Sequence, residues 1–104
     1  RGDHPQTDVE AVLADPEQTM IIDVRTPTEF PGGRLPGAVN IPVDDLRDRL
    51  AEIPRDRNVT VYCQVGQRGY LATRILLQNG YRVRNLAGGF KTWLLYAPAA
   101  KVEK

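Results

Sequence analysis

The sequence predicts an α/β fold in which a central parallel sheet carries helices on both faces. Three observations lead there. Short apolar or β-branched runs alternate with segments of helical periodicity along the chain, the pattern of repeated strand–helix–strand units. The run Met20-Ile21-Ile22-Asp23-Val24 is apolar on both faces, as a buried parallel strand is. Parallel neighbours need right-handed crossovers, and the helical segments between the runs supply them.

The elements follow in order. Residues 1–6 read as linker. Thr7 or Asp8 caps a short helix whose apolar face is Val9, Val12 and Leu13, and Asp15-Pro16 ends it. Met20 to Val24 is the first strand. Thr26-Pro27-Thr28-Glu29 is a helix start: Thr26 as N-cap, Pro27 at the first helical position, Glu29 completing a capping box. Pro31-Gly32-Gly33 stops that helix after about one turn. Gly37 to Pro42 is a second strand. Asp44 or Asp45 caps a helix with Leu46, Leu50 and Ile53 on one side, closed by Pro54. Val59 to Tyr62 is the third strand. Gly69 to Asn79 is the longest helix, with a stripe of Leu71, Ala72, Ile75 and Leu76 and with Gly80 as its C′ residue. Tyr81 to Leu86 is a further strand. Gly88-Gly89 turns into a last short helix carrying Phe90, Trp93 and Leu94, and residues 97–104 read as a flexible tail.

The 104 residues make one domain, set at residues 7–96. Fourteen basic and thirteen acidic residues are well mixed, for a net charge of +1. That excludes the concentrated basic face that nucleic-acid binding needs. A single cysteine forms no internal disulfide, so the chain is expected in a reducing compartment, the cytoplasm. No apolar run approaches the roughly 20 residues that span a bilayer, and the opening shows no signal-peptide pattern. The polar Arg1-Gly2-Asp3-His4-Pro5 start, without an initiator Met, suggests a domain cut from a longer protein.

Chemistry concentrates at Cys63, which follows the third strand and faces the start of the longest helix. A free thiol, with pKa about 8.5, is mostly protonated at neutral pH, and the thiolate is the nucleophile. Three features favour the thiolate here. The helix N-terminus carries a positive dipole end. Gly66 lets backbone N–H groups converge into an anion-holding nest. Arg68 adds a fixed charge. Four residues separate Cys63 from Arg68. Cysteine phosphatases place five residues between their Cys and Arg, so this loop is one residue short for a tetrahedral phosphate and suits a smaller acceptor such as sulfur. A strand-end cysteine can also be a small core residue, and that reading stands beside the functional one.

The chain resembles the rhodanese (sulfurtransferase) family from about Thr7 to Tyr96. Four segments carry the resemblance in order: Ile22-Asp23-Val24-Arg25 with Glu29-Phe30, Gly33 to Pro42, Val61-Tyr62-Cys63 with the loop to Arg68, and Leu86-Ala87-Gly88-Gly89-Phe90 with Trp93. The resemblance implies a rhodanese-like α/β domain with a central parallel sheet of about five strands. It implies that Cys63 accepts sulfane sulfur from thiosulfate, a persulfide or a polysulfide, becomes a persulfide, and passes the sulfur to a thiol or another nucleophile. The loop residues Gln64, Val65, Gly66, Gln67 and Arg68 would bind the substrate and stabilise the terminal sulfur. Arg68 would bridge loop and helix or hold a donor's anionic end. Asp23 and Arg25 would support the loop. Gln64 stands where the family often has Arg, which removes a charge and disfavours dianionic thiosulfate. Arg34 stands where it often has His.

The loop and C-terminal signatures are most similar to rhodanese domains fused to flavin-dependent CoA-disulfide or persulfide reductases. The domain itself then needs no cofactor. FAD, NAD(P)H and coenzyme A would belong to a fused or docked reductase, the expected partner besides the small sulfur donor and thiol acceptor. A non-catalytic docking or regulatory module and a cysteine phosphatase or arsenate reductase are the competing readings.

The remaining residues read plainly. His4 has no second histidine for a metal site and is expected at the surface. Arg47, Arg49, Arg55 and Arg57 alternate with acidic residues as a solvated face does. Trp93 is expected in the core or an interface. Gln64 and Gln67 could donate to a substrate or face water.

Overall fold

The computed structural model describes residues 4–14 and 19–104. It contains one five-stranded sheet, all parallel, in the order β1-β5-β4-β2-β3. The strands are β1 (Gln6–Thr7), β2 (Thr19–Asp23), β3 (Val39–Asn40), β4 (Asn58–Tyr62) and β5 (Arg82–Leu86). The α-helices are α1 (Val9–Ala14), α2 (Gln67–Gln78) and α3 (Gly89–Tyr96). Short 3-10 segments span Phe30–Gly32, Val43–Glu52 and Ala99–Lys101.

Side chains alternate across a strand, and two apolar layers follow. On one face, Val9 and Val12 of α1 and Phe90 and Trp93 of α3 pack with Ile21, Leu35, Tyr62 and Leu86. On the other, Ala72, Ile75 and Leu76 of α2, with Leu46 and Ile53, pack with Ile22, Val59, Val61 and Val83. The expected arrangement, helices on both faces of a parallel sheet, is the one found. Two helix ends are also as the local chemistry predicts. The Asp8 carboxylate accepts the Ala11 N–H at 2.8 Å and so caps α1. At the end of α2 the N–H groups of Gly80 and Tyr81 return to the carbonyls of Leu77 and Leu76, a Schellman closure.

Several expectations are corrected. Gln6, placed in the linker, belongs to β1, because its backbone pairs with Asn85 of β5. The segment after Ala97, read as a flexible tail, folds back: Trp93 Nε1 donates to Lys101 O at 2.8 Å, and Arg34 and Glu103 exchange backbone hydrogen bonds at 2.9 Å. Residues 26–29 form a turn rather than a helix, and only Phe30–Gly32 is helical, as 3-10. Residues 43–52 form a 3-10 segment kinked at Arg49 and preceded by Pro42, with no cap from Asp44 or Asp45. Leu71 and Leu94 are about half exposed rather than core residues. The expected stop at Asp15-Pro16 lies outside the described residues.

The topology fixes where a site can form. The chain leaves β2 toward the β3 edge and leaves β4 toward β5. Beyond the carboxyl ends of two such neighbours a crevice opens. Asp23 and Tyr62 are register partners at those ends, and Cys63 is the next residue.

Candidate active site

Cys63 sits just past β4, almost fully buried. Its Sγ receives two backbone hydrogen bonds, from the Gly66 N–H at 3.0 Å and the Gly69 N–H at 3.3 Å. Helix α2 begins at Gln67, two residues earlier than the sequence predicts, with Gly66 as its N-cap. These donors are therefore first-turn groups that have no partner within the helix, and the sulfur takes the place such a helix end offers an anion. The backbone at Gly66 has φ +130°, a left-handed value that an L side chain resists.

The loop is held from the other side by α3. Phe90 N–H donates to Cys63 O at 2.8 Å and Lys91 N–H to Gln64 O at 3.0 Å. In a trans peptide the C=O and N–H point in opposite directions. Pinning these two carbonyls on α3 therefore turns the N–H groups of Gln64 and Val65 away from it. The contact needs a glycine at position 89, where a Cβ would collide with the carbonyl oxygens of Cys63 and Gln64.

Beneath the loop lies a buried ionic network. Arg25 Nη2 meets Asp23 Oδ2 at 2.7 Å, and Arg25 Nε reaches both carboxylate oxygens at 3.0 Å. Asp23 also accepts the Arg25 backbone N–H at 2.9 Å and the Tyr62 hydroxyl at 2.8 Å. Burial, then the Asp23 charge, raises the Tyr62 phenol well above its ordinary range, so it remains a donor. Arg25 further donates to Gly33 O at 2.7 Å and to Gln64 Oε1 at 3.2 Å, and its guanidinium lies 4.6 Å from the Phe90 ring centroid. One side chain thus ties the β2 end, the Cys63 loop and α3 together. Gln64 points inward to Arg25. Gln67 and Val65 are exposed.

Of the two roles expected for Arg68, a bridge or a holder of a donor's anionic end, the contacts are those of a bridge, made to the turn after β2. Arg68 forms a two-pronged pair with Glu29, at 2.7 and 3.2 Å, and so joins α2 to that turn. The Arg68 hydrogen bond is the main reason the Glu29 carboxyl is held down to about 2, with burial opposing and Thr26 assisting. This folded value lies below the ordinary 4.5. The pair therefore contributes stability above about pH 4.5 and loses it as pH falls toward 2. Both partners are a third exposed, so the contribution is modest. Urea unfolding midpoints are expected to fall through that pH window, and to fall less in Glu29→Gln. Equal slopes for both proteins would contradict the assignment.

Three residues take part in the site through contacts that local sequence does not show. Sequence gives Glu29 as a cap and part of a signature, Tyr62 as a strand and signature residue, and Asn85 as a strand residue, with no contact to the loop for any of them. Asn85 is buried and its Nδ2 lies 3.2 Å from Gly66 O. His4, expected at the surface, is half buried against Tyr70 and Asn85. Among the described residues no cluster of three or more His, Cys, Asp or Glu side chains could hold a metal ion, and no helix is long and apolar enough to cross a membrane.

Comparison with known proteins agrees with this architecture. The chain is 45% identical over 82 residues to a sulfurtransferase of Allochromatium vinosum, covering 78% of this chain and 77% of that one. It is 37% identical over 92 residues to the thiosulfate:glutathione sulfurtransferase of Homo sapiens, covering 74% and 80%. The structure superimposes on reduced Bacillus anthracis CoADR-RHD with a TM-score of 0.85 and 36% identity, over 97% of this chain but only 18% of that one. These named relatives support a sulfurtransferase role. A family model described as the rhodanese-like domain matches residues 6–95, and the chain belongs to that family.

Proposed function

We propose that this domain is a sulfurtransferase in which Cys63 carries sulfane sulfur as a persulfide between a thiol-borne donor and a thiol acceptor. The observation that carries the reading is the pair of N–H groups, from Gly66 and Gly69, converging on Sγ. In the first half-reaction the Cys63 thiolate attacks the outer sulfur of a donor persulfide. The new S–S bond forms on Cys63, the donor's S–S bond breaks, and the donor leaves as a thiolate. In the second, an acceptor thiolate attacks the outer sulfur on Cys63 and restores the Cys63 thiolate. Electrons and protons balance without an external oxidant or reductant. The amides of residues 64–69 would stabilise the outer sulfur's charge as preorganised donors. Asp23 and Arg25 act as loop supports.

Donor choice follows from charge. Arg68 is the loop's one charged residue, and Glu29 neutralises it; Arg25 beneath is neutralised by Asp23. A dianion such as thiosulfate gains little here, whereas a thiol persulfide presents a single charge to the amides. Glutathione persulfide is expected to give kcat/KM at least about tenfold above thiosulfate, a difference of about 1.4 kcal/mol. Thiosulfate as the better donor would contradict this part of the proposal. Sulfur loading without turnover to any small thiol would instead favour a docking module served by a partner. The likeness to CoADR-RHD supports a fused or docked reductase as that partner; FAD, NAD(P)H and coenzyme A would then bind on that reductase rather than on this domain. A lone cysteine used as a persulfide carrier fits a reducing compartment, the cytoplasm.

A further inference from the structure

Asn85 touches both glycines that hold the sulfur. Its Nδ2 lies 3.2 Å from Gly66 O and 3.1 Å from His4 Nε2. Its Oδ1 lies against the Cα of Gly69, where a Cβ would collide with it. The amide orientation follows from chemistry. Reversed, it would set Oδ1 against Gly66 O, two acceptors facing each other. With one N–H of Nδ2 donating to Gly66 O, the other faces His4 Nε2, which accepts it in the tautomer protonated on Nδ1.

The His4 position is not accidental. Pro5 O accepts the Asn85 N–H at 3.0 Å and Gln6 pairs with Asn85, so the first edge strand delivers His4 onto the Asn85 amide. The imidazole also meets the Tyr70 ring edge-on, with centroids 4.7 Å apart. Tyr70 follows Gly69 in α2 and donates its N–H to Gly66 O at 2.9 Å. His4 and Asn85 thus brace the same first turn of α2 that presents its N–H groups to Cys63.

We infer that Asn85 is a positioning residue for sulfur transfer, acting through Gly66 and Gly69, and that His4 on the N-terminal strand holds it in place. The inference rests on Cys63 as the sulfur carrier. Asn85 reaches no substrate; it sets the direction of the two N–H groups that stabilise charge on sulfur. His4 and the first strand then belong to the machinery of the site rather than to a linker.

The test uses the whole chain and the variants Asn85→Ser, His4→Leu and His4→Gln. Glutamine keeps an acceptor for the Asn85 N–H and leucine does not. Asn85→Ser is expected to slow persulfide loading from glutathione persulfide about tenfold, mainly in kcat with KM little changed. The midpoint of the Cys63 alkylation rate against pH is expected to move upward in the same variant, because the thiolate loses aligned donors. His4→Leu is expected to show the same changes at about threefold, and His4→Gln to restore rates to near wild type. A folded Asn85→Ser protein with wild-type loading and alkylation profiles would overturn the inference. So would equal behaviour of His4→Leu and His4→Gln, variants at a half-buried site that should fold even where Asn85→Ser does not. Alkylation separates the two claims: if wild type takes up no sulfur, the carrier reading fails, while a shifted alkylation midpoint in Asn85→Ser still supports the positioning role.

Discussion

The Cys63→Ser protein is expected to transfer sulfur at least about a thousandfold more slowly than wild type, the scale seen when a covalent nucleophile is removed. The substitution changes one atom. Serine fits the same buried position, and the N–H groups of Gly66 and Gly69 still find an acceptor there. What disappears is the thiolate: a serine hydroxyl is not ionised near neutral pH, and an oxygen cannot hold sulfur as a persulfide. The circular dichroism spectrum and melting temperature should stay close to wild type, which separates lost chemistry from lost fold. Residual transfer within tenfold of wild type would mean that sulfur passes without covalent capture at this residue.

Arg25→Met is expected to cost about 3–5 kcal/mol of stability, because it strands a buried carboxylate. Asp23 is fully buried and takes three side-chain contacts from Arg25. Without the guanidinium it keeps only the residue-25 N–H and the Tyr62 hydroxyl. The same deletion frees Gln64 and leaves Gly33 O without its donor, so the Cys63 loop loses its anchor along with the charge balance. At 4 °C or more per kcal/mol for a domain of this size, melting should drop by at least about 12 °C. Adding Asp23→Asn to Arg25→Met should recover part of the loss, since the stranded charge is gone. A melting drop of a few degrees, or no recovery in the double variant, would show that the pair is not the keystone its geometry suggests.

The parts of this molecule legible in the sequence are those written in local patterns. The β2 and β4 strands are short β-branched or apolar runs, and α2 shows its buried stripe and its glycine stop. The strand–cysteine–glycine–helix grammar around Cys63 placed the loop at the carboxyl edge of the sheet. What was illegible depends on distant partners. Gln6 and Thr7 have no strand signal of their own and become β1 only because β5 offers an edge. The chain after Ala97 looks like a frayed end until the Trp93 indole and the Arg34 backbone give it partners. Sequence leaves the partner of Arg68 unnamed because Glu29, 39 positions away, fits a capping box equally well. Asn85 sits inside an unremarkable strand, and only packing against Gly69 reveals it.

The central claim is that Cys63 itself carries the sulfur, and intact-protein mass spectrometry after exposure to glutathione persulfide tests it most directly. The wild-type chain is expected to gain the mass of one sulfur atom, located by peptide mapping to Cys63, and to lose it on addition of excess thiol. An unchanged mass, or the same gain in Cys63→Ser, would contradict it.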